Sequence, residues 1–167
     1  MAEIKIPQST KAEGVLAFTT LLWGMTFIVI KKGLNDASPF MFLALRFGAA
    51  SIVYFLIFFK QFRNISIRTL SRAVLLGLFF FSGYALQTLG LKYTSVAKSA
   101  LFTYMFAVFV PPMQYFFTGK KPKLLNVIAL FVVFGGICLF SLPGNSSLNT
   151  GDLLSALGAV GYSLFII

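Results

Sequence analysis

Few residues in this 167-residue chain could do chemistry, and those few are polar groups set singly inside long apolar runs. Arg46 is the sharpest of them. It follows Pro39 by seven residues, about 10 Å along a helix, and it stands within the apolar stretch 37–59. A guanidinium at that depth has two readings. It snorkels to headgroups or pairs structurally, or it faces a polar cavity and offers its planar fork to an anion. Tyr84 and Gln87, three apart, share a helix face, and a mid-run glutamine needs a hydrogen-bond partner from another helix or from cavity water. Trp23, with Thr19 and Thr26, makes a similar stripe. A tryptophan far from a run's ends is not an interfacial anchor, so it packs in a core or meets a solute. Lys98 opens the run 99–118, where it snorkels or serves a polar path. Ser95, Ser99 and Thr103 recur every four residues on one face, which suits close helix packing or a hydroxyl-lined pathway. Pro111-Pro112 falls mid-run, where each proline removes a helical hydrogen bond and bends the chain. The bend is either static or a hinge.

The chemistry that is missing is as informative. There is no histidine, and the one cysteine, Cys138, lies in an apolar run, so an intrachain disulfide is excluded and a zinc or iron site is not expected. Glu13, Asp36 and Asp152 sit at the ends of apolar runs, so no carboxylate is placed deep within one. No nucleophile–base pair and no phosphate-binding glycine loop occurs. An enzyme is not expected, and neither is a cofactor.

The elements that must position these residues are the apolar runs themselves. Five of them, 14–30, 37–59, 73–91, 99–118 and 124–142, are each long enough for a bilayer core, and a sixth starts at Leu153. In lipid the backbone must satisfy its own hydrogen bonds, so the runs predict helices. Charged residues make up 11% of the chain, against about 25% in soluble domains, and the mean hydropathy is +0.89. The net charge of +10 would suit nucleic acid in a soluble protein. Here the basic residues flank apolar runs, which points to membrane orientation and to the lipid bilayer as partner, with no nucleic acid.

The sequence therefore predicts an all-α, polytopic membrane protein with five transmembrane helices plus the start of a sixth. Thr10 and Glu13 fit a capping box opening the first span, and the first run is too long, and too basic at its end, for a signal peptide. With the N-terminus inside, Lys5, Lys11, Lys60, Arg63, Arg68, Arg72, Lys120, Lys121 and Lys123 lie on the inner side, and Lys31, Lys32, Lys92 and Lys98 on the outer. Nine against four favours N-inside in a bacterial-type cytoplasmic (inner) membrane. The expected organisation is a cytoplasmic segment 1–13, a five-helix unit 14–142, an external loop 143–151 and a second unit starting at 152. Five is odd, so a sixth span would begin a set in the opposite orientation, the plan of an inverted repeat. Aligning Trp23-Gly24 with Tyr162-Ser163 brings Ala17 onto Ala156 and Leu21 onto Val160. Ile167 stops in mid-span without a flanking charge, as expected of a piece of a longer protein.

Several motifs then converge. The stretch from Trp23-Gly24-Met25-Thr26 to Lys31-Lys32-Gly33-Leu34, the pair Ser38-Pro39, and Leu45-Arg46-Phe47 resemble the first two spans of the EamA family in the drug/metabolite transporter superfamily. Gln87 to Ser95, Ala97, Ser99 to Phe102, Pro111, Gly135-Gly136 and Gly151-Asp152 continue the resemblance over nearly the whole chain. It implies a ten-helix carrier of two five-helix inverted repeats (5+5), with this chain as the first repeat and the opening of the second. The resemblance also implies a permease for small metabolites, and Lys31, Lys32, Arg46 and Lys98, which would make the outer half of the bundle positive, favour an anionic or zwitterionic one such as an amino acid. The substrate-pathway candidates are Trp23, Thr26, Arg46, Tyr84, Gln87, Lys98, Ser99 and Thr103, and the hinge candidates are Pro111 and Pro112. The remaining partner is the second five-helix repeat or another copy of the chain. The doubled proline is a departure from the family pattern. The rival expectation is a half-size, non-transporting membrane subunit that assembles through Ala44-xxx-Gly48 and Ser155-xxx-Ala159-xxx-Ser163.

Overall fold

The computed structural model describes residues 8–62, 65–119, 124–141 and 148–167. Lys5, Arg63, Lys120, Lys121, Lys123, Leu142 and residues 143–147 of the expected external loop lie outside them. Among the described residues all regular structure is helical: α1 (Gln8–Gly33), α2 (Pro39–Phe62), α3 (Ile67–Tyr93), α4 (Val96–Thr103), α5 (Phe106–Thr118), α6 (Leu124–Ser141) and α7 (Thr150–Ile166). Among the described residues four spans are long and apolar enough to cross a membrane: Thr10–Gly33, Pro39–Phe62, Ile67–Tyr93 and Val96–Thr118. The last of these joins α4 to α5. The fifth and sixth apolar runs form α6, of 18 residues, and α7, of 17.

Local chemistry explains where the helices start. Pro39 takes the first position of α2, and Ser38 Oγ accepts from the Met41 amide at 3.3 Å. Ser66 and Ser95 cap α3 and α4 in the same way, accepting from Thr69 and Lys98 amides at 3.2 Å. The capping box of this chain is at α7, not α1. The Asp152 amide donates to Asn149 Oδ1 at 3.0 Å, and the Asn149 amide donates to Asp152 Oδ2 at 3.1 Å. Thr10 is already inside α1, which is helical from Gln8, so its first-turn role is not that of a cap.

The span holding the double proline breaks earlier than the prolines. The chain leaves the α-helical pattern at Tyr104-Met105, where the Met105 and Ala107 amides reach carbonyls only three residues back, those of Phe102 and Tyr104. Helix α5 then runs through Pro111 and Pro112.

Burial is inverted relative to a water-soluble protein. Gln87, Thr88, Ser99, Thr103, Asp152, Ser155 and Ser163 are buried, while Ile52, Val53, Phe55, Leu56 and Ile57 of α2 are exposed. Apolar side chains facing lipid and polar groups satisfied between helices are what a bilayer solvent selects. The most extensive helix pair is α3 against α7. It closes on small residues: a methyl at Gly90 would lie 2.5 Å from Ser155 Oγ and 2.6 Å from the Gly151 carbonyl, and one at Gly158 would lie 2.8 Å from the Gly83 carbonyl. Only hydrogen fits there, so the backbones approach to contact. Ser155, Ala159 and Ser163 are fully buried on α7, as a packing stripe should be. By contrast a methyl at Gly48 would touch nothing within 4 Å, so the Ala44–Gly48 face has no partner among the described residues.

Lys31 ties α1 to this pair. Its Nζ donates to the carbonyls of Leu91, Lys92 and Thr94 at 2.6, 3.2 and 2.8 Å. Those are carbonyls that the end of α3 leaves without helical partners, and a cation there also meets the negative end of the helix dipole. The α1–α2 turn, the α3–α4 turn and the start of α7 therefore gather at one end of the bundle.

Candidate functional site

The site is built from α2, α3 and α7, with a wall from α5 and α1. Gln87, 2% exposed, sits on the glycine face of α3, three residues before Gly90 and four after Gly83. The close approach of α7 brings Tyr162, 5% exposed, opposite it, and the Tyr162 hydroxyl donates to Gln87 Oε1 at 2.6 Å. One turn away on α3, Tyr84 stands edge-to-face with Tyr162 at 5.4 Å between ring centroids. From α2, the Arg46 guanidinium carbon lies 5.0 Å from the centre of the Tyr84 ring, a cation–π contact. Arg46 Nη1 is buried and makes no hydrogen bond, as are Thr88 Oγ1 and Thr103 Oγ1.

Aromatic rings surround this polar group. Phe47 lies 5.4 Å and Phe80 4.8 Å from Tyr84, both edge-on. Phe106, the first residue of α5, is 6.5 Å from Tyr162, and Trp23 of α1 is 6.2 Å from Phe106. The rings thus form a continuous path from α2 to α1.

The sequence-predicted candidates fall into three groups. Arg46, Tyr84 and Gln87 come together, and Trp23 joins them through Phe106. Thr26 lies on the Trp23 side of α1, but its hydroxyl donates to the Trp23 carbonyl of its own helix at 2.6 Å. Ser99 and Lys98 belong elsewhere: Ser99 Oγ meets Ser155 Oγ at 3.0 Å in the α4–α7 contact, and Lys98 Nζ lies 3.5 Å from Asp152 Oδ2 at the end of the bundle. Thr103 is buried on α4, one residue before the break. Pro111 and Pro112 line a groove of about 340 Å³ between α5 and α6, away from the ring cluster.

Two contributors were not singled out from the sequence. Tyr162 entered only as the residue aligned with Trp23, and that alignment was its signal, since both rings pack on Phe106. Asp152, at a span end, is 1% exposed. It accepts from the Thr94 hydroxyl as well as pairing with Lys98 and completing the α7 cap. Among the described residues no three His, Cys, Asp or Glu side chains gather into a metal-holding group.

The profile of the EamA-like transporter family matches residues 11–142. The chain belongs to that family. An uncharacterized transporter of Archaeoglobus fulgidus is 32% identical over 159 residues, covering 89% of this chain and 48% of the relative. The uncharacterized transporter YoaV of Bacillus subtilis is 28% identical over 152 residues, covering 87% and 52%. The uncharacterized inner membrane transporter YedA of Escherichia coli K12 is 26% identical over 161 residues, covering 90% and 50%. The chain spans about half the length of the curated relatives it matches. No solved structure matches it. As an EamA protein it is an integral membrane protein, and its polar cluster lies among its apolar spans.

Proposed function

We propose that this chain is the N-terminal half of a secondary carrier that moves small metabolites across a bacterial-type cytoplasmic membrane, with its N-terminus inside. In this reading the helices up to α6 make one five-span repeat, and α7 opens a second repeat of opposite orientation. The carrying observation is the buried Gln87–Tyr162 hydrogen bond beside Arg46. In this reading it joins a polar group of the first repeat to one at the opening of the second, and substrate sites in inverted-repeat carriers lie at the repeat interface. Arg46 favours an anionic or zwitterionic solute such as an amino acid. Trp23, Tyr84, Gln87 and Thr103 line the path, with Thr26 behind Trp23. Lys98 and Ser99 hold the helix ends that frame it.

The span α4–α5 supplies the moving part in this reading. Its break at Tyr104-Met105 is flanked by a groove of about 480 Å³ lined by Phe102, Met105, Asn149 and Asp152. Pro111 and Pro112 border the other groove. Space on both sides lets the segment bend during alternating access. The test is solute uptake into proteoliposomes. The whole carrier should give saturable uptake from a panel of labelled metabolites, and residues 1–167 alone should give none. Saturable uptake by residues 1–167 alone would instead favour a half-size protein pairing with its own copy, for which the open Ala44–Gly48 face is the available surface.

A further inference from the structure

We propose that Arg46 is the docking point for a single carboxylate, and that the solute carrying it has an uncharged apolar body suited to the aromatic surroundings that Tyr84, Tyr162 and Phe106 provide. The inference rests on the carrier reading above and narrows its substrate class to monocarboxylate anions rather than zwitterions.

Four observations lead there. Arg46 Nη1 is a buried charged donor with no acceptor, an arrangement that is unfavourable until something fills it. The contact with Tyr84 holds the guanidinium carbon 5.0 Å from the ring centre, and the N–H groups of the unpartnered Nη1 are donors that a carboxylate oxygen can accept from. The other buried or half-buried cations of the bundle are already answered, Lys31 by three carbonyls and Lys98 by Asp152. Arg46 is thus the cation at the ring cluster, and among the described residues no carboxylate pairs with it. One positive charge in a low-dielectric site suits a monoanion, since a phosphate dianion would bring a second charge with nothing to balance it. Finally, the Tyr162 hydroxyl engages Gln87 Oε1 and leaves the Gln87 amide nitrogen as a further donor.

The argument against a zwitterion is equally local. An ammonium needs acceptors, and the one buried carboxylate among the described residues, Asp152, is committed to Thr94, Lys98 and the cap of α7. The aromatic surroundings that remain favour an uncharged, apolar body.

Trp23 is the only tryptophan in the chain and joins the ring path at Phe106, so its emission reports on occupancy. The experiment titrates purified residues 1–167, in a neutral maltoside detergent, with 3-phenylpropanoate, with 3-phenylpropan-1-ol and with phenylalanine. These probes share one body and differ in the carboxylate and the ammonium. The expected result is a saturable change in Trp23 emission with 3-phenylpropanoate, and binding at least about tenfold weaker for the alcohol and for phenylalanine, because each leaves a buried group unpaired. Arg46→Lys should weaken carboxylate binding several-fold and Arg46→Met should abolish it, with melting temperatures confirming that both variants fold. Absence of saturable binding, equal binding of the alcohol or of phenylalanine, or full binding by Arg46→Met overturns the proposal. Uptake by the whole carrier separates it from the broader reading. If the carrier reading fails, no probe enters vesicles although 3-phenylpropanoate still binds. If only the carboxylate site fails, uptake survives in Arg46→Met.

Discussion

The Tyr162 hydroxyl and the Gln87 side-chain carbonyl meet at 2.6 Å in the interior of the α3–α7 contact, where neither residue has appreciable exposure. A buried pair of this kind is stabilising mainly through the cost of breaking one side of it. Tyr162→Phe leaves Gln87 Oε1 buried without a donor and should lower stability by about 1–3 kcal/mol. Replacing both, Gln87→Met with Tyr162→Phe, removes the orphan and should recover most of that loss. Thermal unfolding of the two single variants and the double variant in one detergent gives the coupling directly. Additive losses would mean that the two groups do not interact.

How the pair arises shows what could be read in advance. Helices were legible because apolar runs of bilayer length leave the backbone no other choice, and the family was legible because motifs such as Trp23-Gly24 and Ser38-Pro39 keep their order and spacing. Arg46, Tyr84 and Gln87 stood out as polar groups in apolar surroundings. Tyr162 did not, because a tyrosine in an apolar run is ordinary until the helix it faces is known. That facing is set by Gly83, Gly90, Gly151 and Gly158, and a glycine carries no sign in the sequence of which helix it admits. The break at Tyr104-Met105 was hidden too. The prolines drew attention to 111–112, whereas the change of hydrogen-bond pattern falls at residues with no special local preference. The sequence places Lys31 among the outer positive charges and gives no sign that its ammonium also serves the carbonyls of Leu91, Lys92 and Thr94.

The glycine contact itself makes the next prediction. A methyl at Gly90 would sit 2.5 Å from Ser155 Oγ and 2.6 Å from a backbone carbonyl, and backbone cannot swing aside as a side chain can. Gly90→Val should force α3 from α7 and destabilise the protein by about 1–3 kcal/mol or more. Gly48→Ala, placed where nothing lies within 4 Å, is the control and should melt like the parent. Equal melting of the Gly90→Val variant would contradict the packing.

Lys31 should matter more than its neighbour Lys32. Lys31→Met removes three hydrogen bonds from a charged donor to the α3 terminus and should lower stability by about 1–3 kcal/mol. Lys32, exposed and without such contacts among the described residues, should be replaceable by Met with a change within about 0.5 kcal/mol. Melting temperatures of the two variants, compared at equal ionic strength, decide it.

At the same end of the bundle, Asp152 has its carboxylate buried against Lys98, Thr94 and the α7 cap. Removing one member of a buried pair leaves the other charge uncompensated, at a cost of about 3–5 kcal/mol when burial is complete. Lys98 is 11% exposed at its side chain, so the loss for Asp152→Asn should fall below that range. Lys98→Met in the Asp152→Asn background should restore part of it. If the double variant is as unstable as the sum of the singles, Lys98 and Asp152 are not coupled.

The last prediction concerns orientation. The α1–α2 turn lies at the end of the bundle where Lys31 meets the α3 terminus, and Asn35 in that turn is exposed. Ile65, between α2 and α3, is exposed at the start of α3. The helix α2 separates the two positions, so they must face opposite sides of the membrane. In the proposed orientation the second joint, with its excess of basic residues, lies in the cytoplasm. In a background with Cys138→Ser, a cysteine at Asn35 should react with an impermeant thiol reagent in intact cells, and one at Ile65 only after permeabilisation. The reverse pattern would place the N-terminus outside and turn the carrier over, while leaving the contacts among its helices as they are.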